Sequence, residues 1–516
     1  MADGEHLVAS CLNNTLHVIF RQASFEAHMS IPDTLVARLR EIVDNRAVIT
    51  DPTELMVYES DALAQHRHRP DAVVLPRDTA QVQAVVRACY DHDVPIVPRG
   101  AGTGLSGGAA AVDGGVMVSL TRMNRVLSVD YENRIAVVEP GVQNLQLTAI
   151  TKPRGWHYAP DPSSQAACTL GGNVAENAGG PHCLKYGVTS NHVLGLEVVL
   201  PDGDVIELGG VADAEGYDLL GLFIGSEGTL GIVTKVTLRL ERVPPAVRTL
   251  LVDYDSLIAA CESVTGIIAD GIIPAALELM DRRTIATVED SVLAAGYPRD
   301  AEAVLVIELD GLEPSLDDQA GRITEICRKH GARTVRMALD ETERAKLWAG
   351  RKAAFGAVGR LAPDVFVQDA VVPRSKLADV IARIHEICDR EEVTVSNVFH
   401  AGDGNLHPNV PFDSRDSAQV ERIERVMKQI MQVCVEAGGT ISGEHGIGID
   451  KRKYMDLVFT PETLDLMARV RNIWNPRGLL NPGKILPERY RVVRGGGSTL
   501  DCNAPDGKAA VAGVTA

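Results

Sequence analysis

The cysteines of this chain are scattered rather than grouped. They stand at positions 11, 89, 168, 183, 261, 327, 388, 434 and 502, and no two of them form a C-x-x-C pair. Because iron–sulfur clusters and thiolate zinc sites need grouped cysteines, we expect the chain to hold neither. Scattered cysteines behind an N-terminus that makes a poor secretory signal indicate a reducing, cytoplasmic location.

Long apolar runs and an excess of basic residues are also missing. No run of about 18 apolar residues occurs, so we expect no direct insertion into a membrane. Lys and Arg together number 51 against 69 Asp and Glu, which gives a formal net charge of −18. Since an acidic surface repels phosphate backbones, this balance argues against nucleic-acid binding.

The chain does contain ample material for a folded core. Hydrophobic residues make up 45% of its 516 residues, and this length predicts two to four domains. Helical and strand-like patterns alternate as far as Pro244-Pro245, where we predict a domain boundary. Beyond it, a repeated strand–helix rhythm predicts an α+β domain, with an antiparallel or mixed sheet and helices on one face. Residues 1–29 are expected to be an N-terminal extension, and residues 491–516 a disordered tail.

A glycine loop occupies residues 98–108 (PRGAGTGLSGG). Gly102, Gly104 and Gly107 satisfy G-x-G-x-x-G, which in a Rossmann fold needs a helix directly after the loop. Here a strand-like run at 115–120 follows too soon for a helix. The loop is therefore predicted to join two strands and to bind phosphate with its own backbone N–H groups. A tight structural turn is the alternative reading of the same residues.

Two further glycine-rich stretches also favour a ligand-binding role. Residues 160–187 (PDPSSQAACTLGGNVAENAGGPHCLKYG) are too rich in Gly and Asn for an ordinary core helix, and residues 225–234 (GSEGTLGIVT) lead into a strand. Small side chains permit a ligand to approach the backbone closely. Together with the later motifs FHAGDGN, SGEHGIG and LLNPGK, these stretches resemble the vanillyl-alcohol oxidase / p-cresol methylhydroxylase flavoproteins. Within that family, residues 30–488 are most similar to the flavin-bearing bacterial glycolate oxidase subunits and to D-lactate and D-2-hydroxyglutarate dehydrogenases.

The resemblance implies an α+β protein in which a two-part FAD-binding domain carries a ferredoxin-like α+β substrate cap. The implied ranges are 30–245 for the FAD-binding domain, 246–440 for the cap and 441–490 for a helical C-terminal segment that returns to the flavin. FAD is expected to be non-covalent, since the first loop has no His. The implied FAD-binding residues are Arg99, Gly100, Gly102, Thr103, Gly104, Leu105, Ser106, Pro160, Ser163, Gly172, Asn173, Asn177, Glu227, Gly228, Ile232 and Asn481.

A histidine and glutamate constellation lies in the second half of the chain. Two strand-like runs flank the turn AGDGN, so a hairpin would bring His400 near His407. Glycines flank Glu444 and His445 in SGEHGIG, which leaves the backbone free to direct both side chains inward. Two imidazoles and a carboxylate suit zinc, iron or manganese. A pair of hydrogen-bonded histidines beside a turn is the alternative.

The resemblance assigns roles to these residues. His400, His407 and Glu444 match the ligands of a divalent metal, taken as zinc with manganese and iron as alternatives, and His445 matches the catalytic base. Arg351 matches the residue that binds the substrate carboxylate, while His400 and Asn405 are expected to contact substrate as well. Val367 stands where hydroxyglutarate enzymes are expected to have a Lys, which favours a small acid.

The implied reaction is oxidation of a small 2-hydroxy acid, glycolate or D-lactate, to its 2-oxo acid by hydride transfer to flavin N5. The alternatives are a stand-alone D-lactate or D-2-hydroxyglutarate dehydrogenase, a non-catalytic FAD-binding assembly subunit, and a zinc hydrolase with structural glycine loops. The expected partners are a second flavin-type subunit and an iron–sulfur subunit. These partners would allow peripheral attachment to the inner membrane.

Overall fold

The computed structural model describes residues 31–210 and 216–492. The predicted extension (1–29) and all but the first two residues of the predicted tail (491–516) lie outside the described residues. Helices and mostly antiparallel sheets occur side by side in both halves of the described chain, and the predicted α+β class is confirmed.

The first half of the described chain contains two sheets. Its helices are α1 (Asp33–Val43), α2 (Pro52–Leu55), α3 (Thr79–Asp91), α4 (Asn144–Thr151), α5 (Leu170–Glu176), α6 (Cys183–Tyr186) and α7 (Leu219–Phe223). Its strands are β1 (Val48–Ile49), β2 (Ala72–Val74), β3 (Ile96–Arg99), β4 (Val116–Ser119), β5 (Val126–Asp130), β6 (Ile135–Val138), β7 (Trp156–His157), β8 (Val193–Val199), β9 (Val205–Gly209), β10 (Ile232–Arg239) and β11 (Glu241–Arg242).

The first sheet positions the glycine loop. Its strands run in the order β1-β2-β4-β3, with β2, β4 and β3 parallel. The loop leaves the carboxyl end of β3 and enters β4 with no helix between them, as predicted. The second sheet has the order β5-β6-β10-β8-β9, and all of its strand pairs are antiparallel. Helix α5 lies within the second glycine-rich stretch, where the composition argued against a core helix; Thr169 caps it by accepting from the Gly172 amide.

The second half is a cap built on one large sheet. Its strands are β12 (Ala246–Tyr254), β13 (Ala276–Asp281), β14 (Ala303–Gly311), β15 (Ala332–Met337), β16 (Asp364–Val367), β17 (Ala370–Val371), β18 (Ser396–His400), β19 (Asn405–Leu406) and β20 (Pro408–Phe412). Its helices are α8 (Leu257–Ala269), α9 (Arg282–Glu289), α10 (Glu313–Lys329), α11 (Glu341–Val358), α12 (Leu377–Arg390) and α13 (Ser417–Glu436). The strand order is β15-β12-β14-β13-β18-β19-β17, and all of these pairs are antiparallel.

Helices cover both faces of the cap sheet, so the predicted single helical face is wrong. Helices α8, α10, α12 and α13 pack on one face, and α9 and α11 pack on the other. Successive residues of β14 show the reason: Leu305 and Ile307 belong to the first core, whereas Val304 and Val306 belong to the second. A strand with both faces buried gives a continuous apolar run instead of alternation. Strand β13 and helix α9 were not predicted.

The C-terminal segment contacts the first sheet. After α14 (Met455–Val458) and α15 (Pro461–Trp474), the chain reaches the exposed edge of β3, where Leu480 forms a parallel bridge with Ile96. The Ile96 amide donates to the Leu479 carbonyl at 2.8 Å, and the Asn481 amide donates to the Ile96 carbonyl at 2.7 Å. This pairing places Asn481 beside the glycine loop.

Candidate active site

A cavity of about 490 Å³ lies between the three glycine-rich stretches and the cap. Its lining includes the glycine loop, the 162–179 stretch and residues 223–233, together with residues of α11, the His hairpin and the 444–445 turn. Most of the predicted FAD-binding residues line it: Arg99, Gly100, Gly102, Thr103, Gly104, Leu105, Ser163, Gly172, Asn173, Glu227, Gly228, Ile232 and Asn481.

Three predicted FAD-binding residues are not among the lining residues. Ser106 is buried behind the loop, and its carbonyl accepts from the amides of Ile449 and Asp450. The Pro160 carbonyl accepts from Asn144 Nδ2 at 2.9 Å. Asn177 ends α5 in the left-handed conformation, with φ 53°, and its side chain accepts from the Ser190 amide. Ser106, Pro160 and Asn177 are therefore bonded to other parts of the protein and do not line the cavity.

The glycine loop has the features of an anion-binding nest. Within the described part of the chain, no backbone N–H group between Ala101 and Ser106 donates to a protein acceptor. Gly102 has φ +72°, and a Cβ built on it would lie 2.1 Å from the Arg99 guanidinium. The position therefore requires glycine on both conformational and steric grounds. Unpaired amides in such a loop suit the pyrophosphate of FAD.

Glu227 joins the third glycine stretch to the C-terminal segment. Its carboxylate accepts from the amides of Ile447 at 2.7 Å and Gly448 at 2.8 Å, and its carbonyl accepts from Asn481 Nδ2 at 2.6 Å. Burial raises the pKa of Glu227 to about 7 despite these amide donors. Glu227 thus holds two segments distant in sequence against the same wall of the cavity.

The predicted metal ligands lie together. Glu444 Oε1 is 3.2 Å from His400 Nε2 and 3.2 Å from His407 Nε2. One ligand atom from each of the three residues lies within 4.8 Å of the others, so a single cation fits among them. The hairpin supplies the two histidines as predicted, with His400 paired to Asn405 across the turn. Their rings stand at 89° with centroids 5.2 Å apart.

Charge distribution at this cluster favours a cation. Burial would raise the pKa of Glu444, but His400 and His407 hold it well below its ordinary value. Burial would lower the pKa of His400, but Glu278 and Glu444 raise it well above its ordinary value. Two ionised carboxylates around one imidazole make a site where a divalent ion can replace the imidazole proton. The donor set and its charge therefore fit a divalent metal.

Asp369, which the sequence analysis missed, fixes the turn that carries Glu444 and His445. Its fully buried carboxylate accepts from the amides of Gly443 at 3.0 Å, Glu444 at 3.2 Å and His445 at 2.9 Å. Lys451 Nζ donates to the same carboxylate at 2.9 Å. Although burial opposes ionisation, Lys451 keeps the pKa of Asp369 far below its ordinary value. Only the fold brings this carboxylate to the turn, so no local motif marked it.

His445 lines the cavity beside the candidate metal ligands. Its ring stacks on that of His407 at 5.0 Å and 9°, and its Nε2 is 4.0 Å from Glu444 Oε1. The buried Nδ1 has no hydrogen-bond partner among the described residues. Burial lowers the pKa of His445 to about 4, so the ring is neutral at pH 7. A neutral ring that lines the cavity can accept a proton there.

Arg351 reaches the cavity from α11 and is only 5% exposed. It forms an ion pair with Glu278, while its Nε has no partner among the described residues. Glu278 lies on the unpredicted strand β13 and also contacts His400. The sequence offered one signal for Glu278, namely a carboxylate within the apolar pattern ALELMD.

The structure places the predicted substrate residue Asn405 away from the cavity. Its backbone pairs with His400 and its side chain packs against Gly443, outside the cavity lining. Asn409, two residues after His407, lines the cavity instead, with its Oδ1 unpartnered among the described residues. The alternation of side chains from His407 along the hairpin could have indicated Asn409.

Comparisons with known proteins agree with the two halves of the site. Residues 70–209 match the model of a "FAD binding domain", and residues 243–485 match "FAD linked oxidases, C-terminal domain". The chain is 45% identical over 472 residues to the glycolate oxidase subunit GlcD of Escherichia coli K12, covering 90% of this chain and 94% of that protein. The chain belongs to the FAD-linked oxidases. This membership excludes the hydrolase alternative.

Other relatives of this FAD-linked oxidase widen the comparison. It is 42% identical to the Bacillus subtilis glycolate oxidase subunit GlcD, covering 85% of this chain and 94% of that one. It is 34% identical to the D-lactate dehydrogenase of Anaerostipes hadrus, covering 87% and 97%. A structure of p-cresol methylhydroxylase with substrate bound shares the fold, with TM-score 0.75 at 18% identity over 89% of this chain and 97% of that one. The predicted family is confirmed.

Among the helices of residues 31–210 and 216–492, none combines the length and the apolar character needed to span a bilayer.

Proposed function

We propose that this FAD-linked oxidase converts a small 2-hydroxy acid, glycolate or D-lactate, to its 2-oxo acid as the catalytic subunit of a glycolate oxidase. One observation carries the proposal. His400, His407, Glu444, His445 and Arg351 line the same cavity as the three glycine-rich stretches. The relatives named glycolate oxidase and D-lactate dehydrogenase act on acids of this class.

The glycine-rich part of the cavity lining would hold FAD without a covalent bond. The unpaired amides between Ala101 and Ser106 would bind its pyrophosphate, and Gly172, Asn173 and Gly228 would line its path through the cavity. Asn481 lines the cavity and its Nδ2 donates to the carbonyls of Gly108 and Glu227, so its Oδ1 would be the atom that accepts from the ring system. When bound, FAD supplies the two-electron acceptor.

The part of the cavity lining that carries the histidines would bind a divalent metal and orient the substrate. His400, His407 and Glu444 would hold zinc, with manganese or iron as alternatives, and the metal when bound supplies a Lewis acid for the substrate hydroxyl. The Arg351 guanidinium would bind the carboxylate, since Arg351 lines the cavity. His445 would take the hydroxyl proton while the C2 hydrogen faces FAD.

The lining of the cavity near Arg351 favours small acids. Val367, Phe355 and Val398 line this side, and Val367 lies opposite Asn409 in the paired strands β16 and β20. Lys352 also lines the cavity beside Arg351. A second carboxylate held against the apolar side chains and away from Lys352 would be an unpaired charge, which is costly. The chemistry of this side therefore favours glycolate or D-lactate over D-2-hydroxyglutarate.

Anaerobic titration of the FAD-loaded protein tests the proposed function. Glycolate and D-lactate are expected to bleach the flavin absorbance, with L-lactate and D-2-hydroxyglutarate much slower. The complete donor set argues against a non-catalytic assembly subunit. A yellow, metal-loaded protein that none of these acids bleaches would contradict the proposed reaction.

The chain would work within a complex. Its relatives are named as subunits, and its scattered cysteines offer no iron–sulfur centre for onward electron transfer. We propose a second flavin-type subunit and an iron–sulfur subunit as partners, with peripheral attachment to the inner membrane through them. Affinity purification from the native host is expected to recover both partners. Full turnover of the isolated chain with a quinone would contradict an obligate complex.

A further inference from the structure

Glu278 is a completely buried carboxylate at the junction of two functional groups. It lies on β13 directly opposite His400 of β18 in the antiparallel register. His400 Nδ1 is 2.8 Å from Glu278 Oε1 and 3.0 Å from Oε2, and Arg351 forms an ion pair with Oε2. The sheet register thus brings a candidate metal ligand and a candidate substrate-binding cation to the same carboxylate.

The contact with His400 fixes how that ring faces the metal site. A carboxylate accepts hydrogen bonds, so Nδ1 carries a hydrogen, and Nε2 is the nitrogen from which a bound metal would displace the proton. That Nε2 is the atom that lies 3.2 Å from Glu444 Oε1. Since β13 and β18 hold Glu278 and His400 at a cross-strand pair, the ring cannot rotate without breaking this bond.

The contact with Arg351 fixes the guanidinium in the same way. The side chain leaves α11 and is almost fully buried, and Glu278 is its carboxylate partner. Glu278 holds one terminal nitrogen of the guanidinium. Because the guanidinium is planar, this contact also sets the direction of the unpartnered Nε. The guanidinium and the His400 ring are then separated by a single carboxylate.

We propose that Glu278 is a positioning residue that sets the spacing between the metal and Arg351, and so selects acids whose hydroxyl is on C2. The inference rests on the proposed function. A 2-hydroxy acid places its hydroxyl and carboxylate on adjacent carbons, whereas a 3-hydroxy acid adds one carbon between them. A fixed metal-to-guanidinium spacing distinguishes these two lengths.

The chain offers a matched control for the alternative in which Glu278 only neutralises Arg351. Glu308 lies on β14 of the same sheet, is 3% exposed and binds Arg344 through both carboxylate oxygens at 3.0 Å. It also accepts from Trp348 Nε1 and Thr249 Oγ1. Glu308 does not line the cavity and contacts none of the candidate ligands. Its remaining contact, with His182 Nε2 at 3.3 Å, also lies outside the cavity lining, so removing its charge breaks a comparable buried network at residues that do not line the cavity.

The test compares Glu278→Gln and Glu308→Gln in the FAD-loaded protein. Zn²⁺ and Mn²⁺ affinities are measured by competition with a chelator, and KM and kcat are measured for glycolate and for 3-hydroxypropionate. Glu278→Gln is expected to weaken metal binding about 10–100-fold, to raise KM for glycolate and to reduce the preference for glycolate over 3-hydroxypropionate. Glu308→Gln is expected to lower thermal stability while leaving metal affinity and that preference unchanged.

Two outcomes overturn the inference. If Glu278→Gln keeps the wild-type metal affinity and substrate preference, or changes them no more than Glu308→Gln does, Glu278 serves stability alone. If Glu278→Gln does not fold, the variant E278Q/R351M removes both charges, and its metal affinity must still fall about 10–100-fold. A wild-type protein that oxidises no 2-hydroxy acid would instead overturn the proposed function itself, before any variant is compared.

Discussion

Replacing His445 with asparagine is expected to slow flavin reduction by glycolate or D-lactate about 10²–10⁴-fold, the usual contribution of a general base. The ring lies in the cavity with its Nδ1 unpartnered among the described residues, and its stack against His407 places it beside the candidate ligands. Asparagine is close in shape but cannot accept and hold a proton. Stopped-flow absorbance of the flavin under anaerobic conditions measures the effect directly.

A loss of activity alone would not separate chemistry from folding, so two further readouts and a control variant accompany the rate. The His445→Asn variant is expected to retain its FAD and its metal affinity, because neither set of proposed ligands includes His445. His330→Asn is the matched control, since His330 pairs with Glu262 on the cap, outside the cavity. A reduction rate within a few-fold of wild type would remove His445 from the mechanism.

The parts of this site that local motifs encode could be predicted from the sequence. The glycine loop, the His hairpin and the Glu444-His445 turn each lie within a few residues of chain, and all reach one cavity. Glu278 and Asp369 could not be found in this way, because their roles depend on strand register and on a contact with Lys451. The side chains that hold a candidate metal ligand in position come from other elements of the fold.

The fold shows the same division between local and tertiary information. Single helices such as α3 and α15 followed from capping and periodicity, which are local properties. The two helical layers of the cap could not be derived in this way, since the uniform burial of β14 does not say which helix covers which face. Strand β13 was not predicted because Glu278 interrupts its apolar pattern. Glu278 is also the residue of β13 that contacts His400.

Replacing Asp369 with asparagine is expected to lower the free energy of unfolding by about 3–5 kcal/mol, as is usual when one partner of a buried ion pair is removed. Lys451 is 1% exposed and would lose the carboxylate with which it forms its ion pair. The amides of Gly443, Glu444 and His445 would share one amide oxygen in place of two carboxylate oxygens, and the new NH2 group would face these donors. The turn that carries Glu444 and His445 would then be free to move, so metal affinity should fall together with stability.

The double variant D369N/K451M separates these two effects. Methionine removes the stranded charge, so most of the unfolding free energy should return, as measured by urea denaturation followed by flavin release and tryptophan fluorescence. Metal affinity and flavin reduction should not return, because the amides of the 443–445 turn still lack the carboxylate that held them. Recovery of both properties in the double variant would mean that Asp369 serves only to neutralise Lys451. Recovery of stability alone would establish that a buried carboxylate outside the cavity lining controls the orientation of two active-site side chains.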